Sequence, residues 1–247
     1  GYIHVSLSIP FHPEYPRQGS PICHLQVANS ASSHFHSDVL SDGKSLVTFM
    51  VGPDPNSTEF LIHKEVVCQQ SEVLAAAFNS GFKEGQTQTY RLEDTTDRGF
   101  RLFMQWLYSR KFTLLRLDSD YDYDEDSASL GEAEDMSLVE LWVLADKVGM
   151  PALQDSALEA IHNICDMPPG YIPNHTFHYI FENTSHGSPL REYTIATCLE
   201  YGSSVLLSEQ QEVDFPRAFL LELSKRALDY AKLCPRVVVN VWDFFVQ

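Results

Sequence analysis

The sequence is short of basic side chains: 17 Lys and Arg stand against 34 Asp and Glu, a formal net charge of -17 over 247 residues. Tight non-specific binding to phosphate backbones or anionic lipid headgroups needs a cationic surplus that releases counterions, so nucleic acid and membrane surfaces are excluded as expected partners. Cysteine is sparse too. The five present (Cys23, Cys68, Cys165, Cys198, Cys234) are widely spaced, without a C-x-x-C pair. They read as reduced thiols of a cytoplasmic or nuclear protein rather than a disulfide framework. No apolar run reaches the roughly 18 residues of a membrane-spanning helix; the most apolar stretch, Val237 to Val246, is interrupted by Asn240 and Asp243.

Motifs of catalysis are missing as well. There is no G-x-S-x-G elbow, no G-x-x-x-x-G-K-[ST] phosphate loop and no G-x-G-x-x-G after a strand, which argues against an enzyme. Imidazole pairs occur at His34 and His36 and at His175 and His178, yet zinc needs three or four ligands and no cysteine cluster joins either pair. Asp118-x-Asp120-x-Asp122 imitates a calcium loop, but Tyr123 replaces the turn glycine and Ser129 the bidentate Glu. No metal or cofactor is expected. An unrecognised hydrolase or metal enzyme is the remaining reading from that class.

What is there divides into three stretches. Residues 1–37 hold four prolines and five histidines with no period of 3.6 or 2, and read as an irregular arm. Next, Leu46 to Val51 predicts a strand, Gly52-Pro53-Asp54-Pro55-Asn56 a forced turn and Phe60-Leu61-Ile62 a second strand. His63 to Cys68 reads as a short helix. Ser71 then caps another over Glu72 to Asn79, with Val73, Ala76 and Ala77 on one face. Thr87 to Leu92 predicts a third strand.

Phe100, Phe103, Met104 and Leu107 recur at i, i+3, i+4 and i+7, which predicts a helix over Asp97 to Ser109 with a core-facing wall. Ser137-Leu138-Val139-Glu140 matches a capping box, so a further helix is expected to begin there, with Leu138, Leu141, Trp142, Ala145 and Val148 as its stripe. Gly149 should close it and Pro151 open the next, whose stripe is Leu153, Ala157, Ala160, Ile161 and Ile164. Between the two helical parts, Asp118 to Asp135 carries nine acidic residues and no basic one, and is expected to be solvated and mobile. Its carboxylate pairs, such as Glu132 and Glu134, should behave as ordinary solvated groups. Beyond Pro168, helix signals lie at Asn174 to Phe181, Ser188 to Tyr201 and Pro216 to Leu233; Val237 to Val246 fits strand and helix alike.

The order Phe60-Leu61-Ile62-His63-Lys64, Ser71-Glu72-Val73-Leu74-Ala75-Ala76-Ala77-Phe78, Gly81-Phe82-Lys83-Glu84-Gly85, Phe103-Met104-Gln105-Trp106-Leu107-Tyr108 and Leu141 to Lys147 resembles a BTB/POZ domain, in the style of those of filamentous fungi. The resemblance implies an α+β fold, a small mixed sheet flanked by helices; the helix signals beyond Pro168 add an all-helical C-terminal extension. Together with the composition, this divides the chain into the arm at 1–37, a BTB/POZ domain at 38–165 with the acidic insertion at 118–135, and a helical region at 166–247. It also implies protein partners rather than chemistry. In family members that recruit the cullin scaffold of ubiquitin ligases, a hydrophobic-x-Glu triplet precedes the last core strand, and Phe82-Lys83-Glu84 matches it. An oligomerising scaffold or transcription-associated protein without a ligase link is the alternative. The family's self-association pocket pairs an Asp with the Lys after the His. Here Lys64 follows His63, but Ser45 stands where the Asp is usual, and the exchanged helix before the first strand is not legible in Ile22 to His36. Homo- or hetero-association is expected, with Lys64 deprived of that carboxylate.

Overall fold

The computed structural model describes residues 45–118, 125–167, 171–205 and 215–231, with side chains at 125–127 and 201–205 left aside. All belong to one unit, Asp42–Gln247. The irregular arm, the His34 and His36 pair, the centre of the calcium-like run and the Val237 to Val246 run lie outside the described residues.

Strand β1 (Leu46–Val51) pairs antiparallel with β2 (Thr58–His63) and parallel with β3 (Thr89–Leu92), giving a three-stranded mixed sheet of order β2-β1-β3. The register sets Phe49 opposite Phe60 and Tyr90. Alternation along β1 buries Val47, Phe49 and Val51 and turns Leu46, Thr48 and Met50 to the other face. The hairpin turn starts at Gly52, whose φ of +91° is a left-handed conformation that other residues avoid.

Helix α1 (Lys64–Gln70) follows β2 directly and α2 (Glu72–Asn79) is capped by Ser71, whose Oγ accepts from the Leu74 amide at 3.0 Å. The same hydroxyl donates to the Val148 carbonyl at 2.5 Å, tying the start of α2 to a residue 77 positions away. The buried face of α2 is Leu74 and Phe78, not the expected Val73, Ala76 and Ala77; Val73 is 45% exposed. The larger i, i+4 pair removes more apolar surface from water than the alanines can, so the helix rotates to bury it. A short helix, α3 (Lys83–Thr87), occupies the start of the expected third strand, which begins two residues later at Thr89.

Helix α4 (Asp97–Ser109) has the expected bounds, with Phe100, Phe103 and Leu107 buried and Met104 half-buried. Phe100 stacks at 4.8 Å from Phe60 and 5.2 Å from both Phe49 and Phe103, and Phe49 meets Phe78 edge-to-face at 5.7 Å. Each such pair adds about 0.5–1.5 kcal/mol beyond its buried area, so this cluster holds the sheet to α2 and α4.

The largest departure from expectation is α5, which runs over Glu125–Lys147 and therefore begins inside the acidic segment. Ser137 is not a cap: its hydroxyl donates to the Ala133 carbonyl one turn earlier, as a mid-helix serine does. Glu140 reaches α4, accepting from the Thr96 hydroxyl at 2.5 Å. Nor are Glu134 and Asp135 solvated. Glu134 accepts the Leu115 and Arg116 amides at 2.7 and 3.1 Å, and Asp135 accepts from Arg116 at 3.1 Å and from the Tyr171 hydroxyl at 2.8 Å. Gly131 leaves room for this arrangement, because a β-carbon there would stand 2.7 Å from the Arg116 guanidinium. Burial pushes the Asp135 carboxyl up to about 6, against the opposing pull of Tyr171 and Arg116.

Helix α6 (Pro151–Cys165) starts with Pro151 in its first turn and buries every residue of its expected stripe. The rest is helical: a 3₁₀ turn at Asn174–Thr176, α7 (Phe177–Asn183), α8 (Pro189–Val205) and α9 (Arg217–Ala231). Phe177 and Phe181 pack on Phe219 at 4.7 and 5.6 Å. Buried Arg191 donates to the Phe181 carbonyl at 2.5 Å and to Glu222 at 3.2 Å, joining α7, α8 and α9. Since α5 packs on α4, α6 and α7, it is the wall that the α+β part and the helical part share.

Candidate functional site

The segment between α2 and β3 is built from short-range hydrogen bonds. At the end of α2, the Ser80 hydroxyl donates to the Ala77 carbonyl at 2.8 Å and accepts from the Phe82 amide at 3.1 Å. Phe82 has extended backbone and is the cap of α3, with its carbonyl accepting from the Gln86 amide at 3.0 Å. The Gln86 side chain donates to the Gly81 carbonyl at 2.7 Å. Gln88 ends the turn in a left-handed conformation, φ +51°, and its side-chain amide bridges the Phe78 and Gly85 carbonyls at 2.9 and 2.6 Å.

This frame presents Phe82 to solvent. The residue is 77% exposed, the most exposed large apolar residue among the described ones, next to exposed Lys83 and half-exposed Glu84. An aromatic in that position has roughly 1.5–3 kcal/mol of burial still unrealised. Beside it, a cleft of about 220 Å³ is lined by Lys83, Glu84, Thr87, Thr89, Tyr90 and Arg91. The triplet's immediate surroundings are thus an exposed ring, a carboxylate and two cations on a turn closed by hydrogen bonds.

The other predicted residues are brought together differently. The Ser45 carbonyl accepts from the Lys64 amide at 2.9 Å, so the two are joined through the main chain. The Lys64 ammonium turns to α2 and donates to the Phe78 carbonyl at 3.0 Å, a group at a helix C-terminus that favours a cation. His63 receives Tyr108: its amide donates to the Tyr108 oxygen at 3.2 Å and its Nδ1 lies 2.9 Å from the same atom. Lys64 therefore serves the same turn as Phe82 by fixing the end of α2.

Sequence reasoning missed Gln88, Tyr108 and Arg91. Only the fold brings Gln88 back to Phe78 and Tyr108 to His63, and neither follows a spacing rule. Gly85 was visible within the Gly81 to Gly85 pattern, but its reason is the close approach of Ser80.

Among the described residues, no group of three or more His, Cys, Asp and Glu could hold a metal ion. His175 Nε2 lies 3.1 Å from the Glu132 carbonyl, and His178 faces Glu182 one turn on. Burial pushes the thiols of Cys165 and Cys198 up to about 11 and about 12, which keeps them protonated and poorly nucleophilic. No helix among the described residues is long and apolar enough to cross a membrane.

The structure thus sets a small mixed sheet against helices and leaves the Phe82-Lys83-Glu84 triplet before the last strand, with Phe82 exposed. The family model of the BTB/POZ domain matches residues 34–163, more than half of the 247-residue chain. The chain belongs to the BTB/POZ family. It is accordingly a protein–protein interaction module, with protein partners and oligomerisation as the family's general properties. The chain has no match among curated proteins.

Proposed function

We propose that this chain is a non-enzymatic substrate adaptor of a cullin-based ubiquitin ligase, acting in the cytoplasm or nucleus. The observation that carries the reading is the 77% exposure of Phe82 beside Glu84 on a hydrogen-bonded turn. The ring fills a pocket on a partner helix, and the carboxylate fixes orientation through a charge-assisted hydrogen bond. Another surface of the chain holds the target. Tethering then raises the effective concentration of target lysines near the transfer machinery, with no chemistry by the adaptor itself.

The test is binding of the full chain to purified cullin. Phe82→Ala and Glu84→Ala should each weaken the complex by about 2 kcal/mol or more, as truncated interface anchors do. Undetectable binding by the unaltered chain would remove the adaptor reading.

A second reading, an oligomerising or transcription-associated scaffold without a ligase link, is favoured by Leu46 and Leu61, 44% and 52% exposed on the outer face of the sheet. Self-association there buries apolar surface near His63 and Lys64 without using a Lys64 ion pair. Light scattering decides it: a mass holding at 28.0 kDa across micromolar concentrations argues against a stable homodimer.

A further inference from the structure

From Arg98 to Leu117 the chain carries five cations and no carboxylate, in a protein whose acids outnumber its bases two to one. Arg116 is buried in its pair with Asp135, whereas Arg98, Arg101 and Lys111 are exposed and Arg110 is half-buried. Among the described residues none of these four makes a salt bridge. Of the two carboxylates that bound the stretch, Asp97 accepts from the Thr58 hydroxyl at 2.8 Å and Asp118 lies at the far end. The result is a basic surface on an acidic protein, where the local field attracts what the whole molecule repels.

Local geometry gathers this surface on the outer face of α4. Arg98, Arg101, Gln105 and Tyr108 recur at i, i+3, i+7 and i+10 and are all exposed. The Arg101 guanidinium lies 5.4 Å from the centre of the Phe60 ring and that of Arg110 4.1 Å from Trp106, so cation–π contact restrains both side chains before any partner arrives. The chain then folds back along α4: the Thr113 amide donates to the Gln105 side-chain oxygen at 3.1 Å and the Leu115 amide to Glu134 at 2.7 Å. Leu130 stands one turn before Glu134 on α5, and its carbonyl accepts from Arg98 at 3.4 Å. Leu115 and Leu130, 45% and 47% exposed, therefore border the basic face.

We infer that this face of α4 is a docking surface for a protein partner that offers a short acidic segment with apolar side chains set among its carboxylates. Charge complementarity selects that partner. Guanidinium groups take carboxylates in charge-assisted, bidentate hydrogen bonds, and Leu115 and Leu130 give the interleaved apolar side chains a surface to bury. Arg98 to Arg110 covers ~18 Å of helix axis, the span of about five or six extended residues. Nucleic acid, the other polyanion, is disfavoured: a net charge of -17 repels a long phosphate backbone, while a short peptide meets only the local field. The surface shares no residue with the Phe82-Lys83-Glu84 turn, so cullin binding and acidic-peptide binding can be lost separately.

Fluorescence anisotropy with the full chain tests it, using a labelled peptide of about eight residues in which Asp or Glu alternates with Leu or Phe. Arg98→Glu with Arg101→Glu should weaken binding at least about tenfold, and Leu130→Gln about threefold. Arg217→Glu with Lys225→Glu makes the same change of net charge at exposed positions of α9 and should leave binding within about twofold. All of these are surface positions, so the urea midpoints should not move. Asn and Gln in place of the peptide's acids should abolish binding. No binding of the acidic peptide by the unaltered chain would overturn the inference. So would equal losses from the two charge reversals, or equal affinity for a short DNA duplex, either of which would leave bare charge attraction in place of a peptide site. Binding that emerges only after Asp120→Asn, Asp122→Asn and Asp124→Asn would overturn it too, by identifying the chain's own acidic run as the occupant.

Discussion

A β-carbon at Gly85 would stand 1.9 Å from the Ser80 carbonyl oxygen and 2.8 Å from its carbon, so the backbone of α3 lies against the end of α2 at a distance that only glycine allows. This approach holds the Phe82 turn closed. Gly85→Ala should therefore displace the turn and cost about 1–3 kcal/mol of stability, read from the urea midpoint. Cullin binding should weaken alongside it. An unchanged midpoint would mean the turn is soft.

Phe82→Ala should behave in the opposite way. The residue is 77% exposed, so removing its ring should change stability by no more than about 0.5 kcal/mol. A larger loss would show that Phe82 packs on its own fold. Paired with the binding test, this separates a residue that recognises a partner from one that holds the turn.

Thr96 joins α4 to α5. Its hydroxyl accepts from the Gly99 amide at 3.2 Å as the cap of α4 and donates to buried Glu140 at 2.5 Å. Burial raises the Glu140 carboxyl above its ordinary range, and the Thr96 hydrogen bonds pull it back. Thr96→Ala removes a cap and leaves Glu140 under-bonded, which should cost about 2–3 kcal/mol. Thr96→Ser, which keeps the hydroxyl, should recover most of it in thermal unfolding.

Asp135 gives a pH dependence with a definite sign. Its carboxyl is raised by burial from 3.8 to about 6, so the folded state holds the proton more tightly than the unfolded chain. That contribution is fully present below 3.8 and is lost as pH rises through about 6. Between about pH 5 and about pH 7 the unaltered protein should lose about 1 kcal/mol of stability relative to Asp135→Asn. Denaturant titrations of both proteins at the two pH values measure the difference. A parallel response would mean that Arg116 keeps Asp135 ionised throughout.

The helices with a single buried side were legible from spacing alone. Phe100, Phe103 and Leu107 on α4 and Leu153, Ala157, Ala160, Ile161 and Ile164 on α6 are buried as their period requires, and Pro151 opens α6 as its fixed φ allows. On α2 spacing alone misled, because two candidate stripes compete and the heavier pair, Leu74 and Phe78, prevails. The Phe82-Lys83-Glu84 triplet was visible as a pattern. Its exposure was not, since exposure depends on how Ser80, Gln86 and Gln88 fold the turn around it.

Composition and period, then, determined that the chain forms strands and amphipathic helices around a core, because burying apolar area is a local bias that needs no knowledge of the partner surface. Tertiary structure alone decided the fate of Glu134 and Asp135 at the end of the acidic run. Nine carboxylates with no cation among them describe a solvated segment, yet at these two Arg116 arrives from one side and Tyr171 from the other. Glu134 then receives main-chain amides, Asp135 an ion pair, and Gly131 the space the guanidinium needs. Charges are buried only where their partners are, and those partners are set by packing among elements far apart in the chain.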